Sequence, residues 1–129
     1  WNWKKSPQIK WNIWRISATL RKGLFGKELI SKDEFSASFN SKFLPEKLKI
    51  STALIGDKMT PFGMNKQVSL KKLFENKKIS SDEKHIYPVF SLPESEKIIW
   101  VGGIRRSNFA PVRKNTNSIC LKIIQYKNK

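Results

Sequence analysis

The chain has 129 residues and a net charge of +16, from 26 Lys and Arg against 10 Asp and Glu, with a hydrophobic share of 39%. That suffices for one compact domain or two very small ones, with five Trp and eight Phe to build a core, and it excludes a disordered tail. A single cysteine, Cys120, excludes an internal disulfide and a cysteine-based zinc site, and no apolar run approaches the roughly 18–20 residues of a membrane-spanning helix.

A charge of this size repels itself unless a polyanion or salt offsets it. Nucleic acid is the expected partner, an anionic membrane surface the next, and a basic protein with no polyanion partner is the alternative. The charge is uneven. Residues 1–27 hold Lys4, Lys5, Lys10, Arg15, Arg21, Lys22 and Lys27 with no acid. After Glu96 come Lys97, Arg105, Arg106, Arg113, Lys114, Lys122, Lys127 and Lys129, again with no acid. A lone thiol suits a reducing, cytoplasmic setting, and no signal peptide is visible. The opening on Trp1 rather than Met points to a piece of something longer.

In chain order, "WNIWRIS" (11–17) alternates with apolar groups on both faces, which predicts one strand buried on one side and partly covered on the other. "DEFSASF" turns Phe35, Ala37 and Phe39 to one side, a half-buried strand. A loose boundary near 40–46, at "NSKFLPEK", divides an N-terminal strand-rich segment (1–45) from a second unit (46–129). "KLKISTAL" follows with Leu48, Ile50, Thr52 and Leu54 inward and Lys47 and Lys49 outward. Next, "GDKMTPFGMNKQVSLKKLF" (56–74) sets the turn-formers Gly56, Asp57, Pro61 and Gly63 before a helix. Ser69 is its N-cap, Leu70, Leu73 and Phe74 its buried stripe, and Lys71 and Lys78 its opposite face, with Lys72 to one side. "SSDEKHI" has Ser80 and Glu83 at capping-box spacing and Lys84 and His85 at its end, a second short helix stopped by Pro88. "YPVFSL", "KIIWV" and "SICLKIIQY" read as strands, with a turn at Gly102–Gly103. The fold class is therefore α+β, with mainly antiparallel, layered sheets and two short helices.

Catalytic chemistry is hard to assemble. His85 is the only histidine, which excludes Ser-His-Asp, Cys-His and multi-histidine metal constellations. Cys120 sits in an apolar run as a small buried thiol. No phosphate-cradling glycine motif occurs. The expectation is no catalytic residue, no metal and no cofactor. What remains is binding. Lys58, Lys66, Lys71 and Lys72 form one candidate group in the 56–74 stretch. Arg105, Arg106, Arg113 and Lys114 form a second, beside Asn108 and Phe109, a mixture of cationic forks and an aromatic plate suited to RNA. A solvated lysine face is the bland account of either group. A protein-docking or self-association domain using Trp1, Trp3, Trp11 and Trp14, with dimerisation through that segment, is the alternative function. A membrane-surface module lacks an amphipathic helix of sufficient length, so no membrane partner is expected.

The order of Gly56, Asp57, Pro61, Gly63, Met64, Leu70, Lys71, Phe74, Ile79, Pro88, Trp100, Gly103 and Arg105, with a late Thr116, resembles the C-terminal domain of bacterial tRNA(Ile)-lysidine synthetases over about residues 46–125. Lys58 and Lys84 stand where that family usually has Arg, which keeps charge but not the bidentate fork. Ser80 stands where Pro is usual, and Lys66 replaces a frequent Gly. The resemblance implies a parent enzyme that is an ATP-dependent ligase. It would use ATP and lysine as substrates to modify the wobble cytidine of an isoleucine tRNA with a CAU anticodon. Its Ser-Gly-Gly-x-Asp-Ser adenylating loop belongs to an upstream catalytic domain of the same chain and is absent from these residues. The resemblance further implies that this domain, similar to one in the phenylalanyl-tRNA synthetase β chain, grips the tRNA body and acceptor stem. Gly56, Asp57, Pro61, Gly63 and Gly103 would then be structural turns and the cations the contacts.

Overall fold

A computed structural model describes residues 1–23 and 33–126; Lys27, Lys127 and Lys129 lie outside the described residues. The strands are β1 (Gln8–Trp11), β2 (Trp14–Arg21), β3 (Ser36–Asn40), β4 (Lys49–Ser51), β5 (Lys58–Met59) and β6 (Val68–Ser69). The helix α1 (Leu70–Asn76) and a 3-10 turn (Lys84–Ile86) follow, then β7 (Val89–Ser91), β8 (Ile98–Val101), β9 (Arg105–Arg106) and β10 (Ser118–Gln125). One antiparallel sheet has the order β1-β2-β10-β3, a second β4-β7-β8-β9, and β5 and β6 form a ribbon that feeds α1. The last long strand thus lies between two from the start of the chain, with Cys120 opposite Thr19 on one side and Ser38 on the other.

Alternation along these strands decides the layering. Trp14, Ile16, Ala37, Phe39, Ile119, Leu121 and Ile123 project from the first sheet onto Leu48, Phe90 and Trp100, where the Phe90 and Trp100 rings stack at 4.7 Å. A second cluster joins Val89, Ile98 and Val101 to Met59, Leu70, Leu73 and Phe74 beneath α1. The central strands β7 and β8 are therefore wholly buried, and apart from Ser91 their residues are all apolar. The three helix residues each gain about 1.5–3 kcal/mol from burial, which a helix of seven residues needs, since propensity alone would not hold it.

Four local expectations change. The 11–17 stretch is not one strand. Asn12 takes a left-handed φ of 54°, and the chain turns so that Trp11 pairs with Trp14. Asn tolerates that region better than any β-branched neighbour. The second short helix is a 3-10 turn. Ser80 Oγ donates to the Glu83 carboxylate at 2.9 Å instead of capping a backbone N–H, and successive i to i+3 bonds run from Glu83, Ile86 and Tyr87. Pro88 leaves too little chain for an α-helical ladder. Strand β4 ends at Ser51, so Leu54 does not face inward and is 67% exposed. Finally, the tryptophans are not an open patch. Trp14 is buried, Trp1, Trp3 and Trp11 pack against the inter-sheet cluster, and the indoles of Trp1 and Trp3 donate to Ser6 and Pro45 carbonyls at 2.7 and 2.6 Å.

Candidate nucleic-acid interface

The 54–57 turn is closed from both sides. The Leu54 N–H donates to Asp57 Oδ2 at 2.8 Å, and the Asp57 N–H returns to the Leu54 carbonyl at 3.1 Å. Gly56 supplies the φ of +90° that the turn requires. Asp57 also accepts, through its carbonyl, the Leu70 N–H at 2.9 Å, which fastens the turn to the start of α1. Ser69 caps that start, its hydroxyl accepting from the Lys72 N–H at 3.1 Å. Because Leu70, Leu73 and Phe74 face the core, Lys71 and Lys72 are exposed. Lys58 pairs across the ribbon with Ser69, while Lys84 from the 3-10 turn lines the same cleft of about 140 Å³ as Asp57, Ser69 and Lys71. Residues spread over 58–84 in sequence thus converge around one turn.

The second basic segment meets the first. The Pro61–Met64 turn, with Gly63 at φ +85°, lies on β9: the Phe62 N–H donates to the Arg106 carbonyl at 3.1 Å, Asn108 N–H to Thr60 at 3.0 Å, and Arg105 Nη2 to the Phe62 carbonyl at 3.0 Å. Lys66 projects from the same loop into solvent. Arg106 behaves differently. Its guanidinium donates to the carbonyls of Ser38, Ser107 at 2.9 Å and Phe109 at 2.8 Å, and lies 4.4 Å from the Phe39 ring centroid. It therefore joins the second sheet to β3 of the first. Burial pushes its pKa down to about 10, with Glu34 opposing, so it stays cationic at neutral pH. Arg113 and Lys114 stand apart, on an exposed turn held by the Thr116 hydroxyl donating to the Arg113 carbonyl at 2.6 Å, near the end of β3. Gly103 takes φ +83° with Tyr87 packed so closely that a Cβ would come within 3.2 Å of its ring.

The exposed ammonium and guanidinium groups of this surface can contact anions. Among the described residues no group of three or more His, Cys, Asp and Glu could hold a metal, Cys120 is buried, and His85 is exposed at its turn. The ion pairs among the described residues are Lys4–Glu46 at 3.3 Å and Lys49–Glu96 at 3.4 Å, so none of the candidate cations is held in an ion pair there. Sequence periodicity missed the apolar residues exposed on the two turns: Ile55 is fully exposed, and Phe62 and Met64 are about half exposed. The only warning was Gly56 directly after the apolar pair.

A family model described as the TilS substrate C-terminal domain matches residues 48–123. The chain is 28% identical over 96 residues to a tRNA(Ile)-lysidine synthase of Caldanaerobacter subterraneus subsp. tengcongensis, covering 74% of this chain and 20% of that protein. It is 35% identical over 69 residues to a tRNA(Ile)-lysidine synthase of Persephonella marina, covering 53% of this chain and 15% of that one. The chain thus spans a fifth or less of the length of these relatives. Among solved structures, a TILS C-terminal domain superposes with a TM-score of 0.74 at 24% identity over 92% of this chain and 88% of that one. An N-terminal fragment of the phenylalanyl-tRNA synthetase β-subunit from Pyrococcus horikoshii gives 0.64 at 14% identity over 87% and 39%, a likeness of fold.

Proposed function

The chain belongs to the TilS substrate C-terminal domain family, and on that premise we propose that it is the tRNA-docking part of a tRNA(Ile)-lysidine synthase. The whole protein would be an ATP-dependent ligase that joins lysine to the wobble cytidine of an isoleucine tRNA, with ATP and lysine handled by a catalytic domain upstream. This part holds the tRNA body and acceptor stem and contributes no reacting group. The observation that carries the reading is the gathering of Lys58, Lys71, Lys72 and Lys84 about one hydrogen-bonded turn and the helix start fastened to it, inside the matched region. Cations carried on such a scaffold and not held in ion pairs among the described residues suit phosphate contacts, which position a nucleic acid without reading its sequence. Arg105, Lys66, Arg113 and Lys114 extend the contact set, while Arg106 serves as the brace between sheets.

The test is a titration of the chain with isoleucine tRNA across a salt series, with duplex DNA and heparin as competitors. Tighter binding to tRNA than to either competitor is expected. Lys71→Gln with Lys72→Gln should flatten the log–log salt slope by roughly 0.9 for each phosphate that is no longer neutralised. Equal binding to all three polyanions, with a wild-type slope in the double variant, sinks the proposal.

A further inference from the structure

The outer face of the first sheet carries a second set of cations. Along β2 the odd-numbered residues point away from the core, and the register sets Lys10 directly across from Arg15 and Lys122 across from Ser17. Lys10, Arg15 and Lys122 are all exposed, whereas their neighbours Ile16 and Ile123 are buried. Like charges directly opposite one another across a strand pair are destabilising. Among the described residues no carboxylate pairs with any of the three. Tyr126 compensates two of them, with Lys10 Nζ 4.5 Å and Arg15 Cζ 5.3 Å from its ring centroid. Lys10, Arg15 and Tyr126 line a shallow cleft together with Gln8 and Ile9.

The hairpin end of this sheet lies beside the segment that carries Lys84. The turn between β1 and β2 packs on the 3-10 turn that carries Lys84: Asn12 Nδ2 donates to the His85 carbonyl at 3.5 Å and Trp14 Nε1 to the Ile86 carbonyl at 2.5 Å. At the other end of β2, about 20 Å further along the strand, exposed Arg21 pairs with Ser118, a short step after Lys114. The cations of this face thus run from the hairpin beside Lys84 toward the strand end opposite Ser118.

We propose that the outer face of β1, β2 and β10, centred on Lys10, Arg15, Lys122 and Tyr126, is a second RNA-backbone surface, which begins at the hairpin end beside the 3-10 turn of Lys84. The proposal rests on the tRNA-docking reading and adds the path that the nucleic acid follows. An extended row of cations with an aromatic ring at one end matches a sugar–phosphate strand better than a compact anion.

The decisive comparison uses three proteins in the same tRNA salt series: wild type, the triple variant Lys10→Gln, Arg15→Gln, Lys122→Gln, and the pair Lys71→Gln, Lys84→Gln. The triple variant is expected to weaken binding and lower the log–log slope by about 2–3, with the losses of the two variants adding. In wild type, amides of β1, β2 and β10 should shift on adding tRNA, a readout independent of any variant's folding. A triple variant with wild-type slope, or unshifted sheet amides, overturns the sheet surface even if the lysine pair matters. The converse, a silent lysine pair with a weakened triple variant, upholds the sheet and removes the cleft. Loss of binding to phosphatidylserine vesicles instead of tRNA would reassign the face to a membrane and overturn the RNA assignment.

Discussion

Replacing Arg106 with Gln separates a brace from a contact. In the folded chain the guanidinium serves three carbonyls, that of Ser38 on β3 and those of Ser107 and Phe109 just after β9, and lies against Phe39. A Gln amide can keep one of these. Two carbonyls then lose a charged donor worth about 1.5–3 kcal/mol each, partly offset by water and by relief of the cost of burying the charge. The net loss should be about 2–4 kcal/mol, a large share of the roughly 5–15 kcal/mol that holds a domain together. Urea unfolding followed by Trp fluorescence should show the midpoint falling by about 1–2 M at a slope typical of small proteins, about 1–3 kcal/mol per M. The folded fraction should bind tRNA with the wild-type salt slope. An unchanged midpoint with a slope lowered by about one would refute the brace and make Arg106 a phosphate contact.

Ser69→Ala removes the one side-chain cap of α1 and should cost about 1 kcal/mol by the same unfolding assay, with little change in tRNA affinity beyond that from fraying near Lys71. Gly103→Ala should cost more than Gly56→Ala. Both impose a side chain on a left-handed φ, about 1–2 kcal/mol, but only at Gly103 does the new Cβ meet Tyr87 at 3.2 Å, whereas Gly56 opens to solvent. Equal losses would show that the Tyr87 contact yields freely. The Tyr87 phenol is held above its usual 10.0 by burial first and by Glu83 second. The folded state thus keeps the proton longer than the unfolded one, and the stabilisation is complete below about pH 10 and lost as pH climbs through the raised value. Tyr87→Phe should match wild type in the pH sensitivity of stability at neutral pH and lose less than wild type on the alkaline side. An identical alkaline decline would exclude Tyr87 as its source.

Periodicity and turn chemistry made much of this molecule legible. The α1 stripe of Leu70, Leu73 and Phe74, its Ser69 cap, the glycine turns and the apolar runs of β7, β8 and β10 depend on neighbours within a few residues. The same local logic put Lys71 on the free face of the helix and Lys72 to one side. It also placed Lys78 on that free face, and Lys78 lies past the last helical residue, Asn76. It failed where local preference was indifferent. Nothing nearby told the Asn12 turn from continued strand, or the 80–86 stretch from a helix. Only the tertiary structure decided that β10 inserts between strands of the N-terminal segment, which brings cations from both ends of the chain onto one sheet face. Only it decided that Arg105 stays half-open while Arg106 turns inward to three carbonyls, two adjacent arginines with opposite tasks. Composition dictated that so basic a chain would present positive charge. Long-range pairing, which closes loops of tens of residues and so leaves no local trace, dictated which of those charges lie side by side.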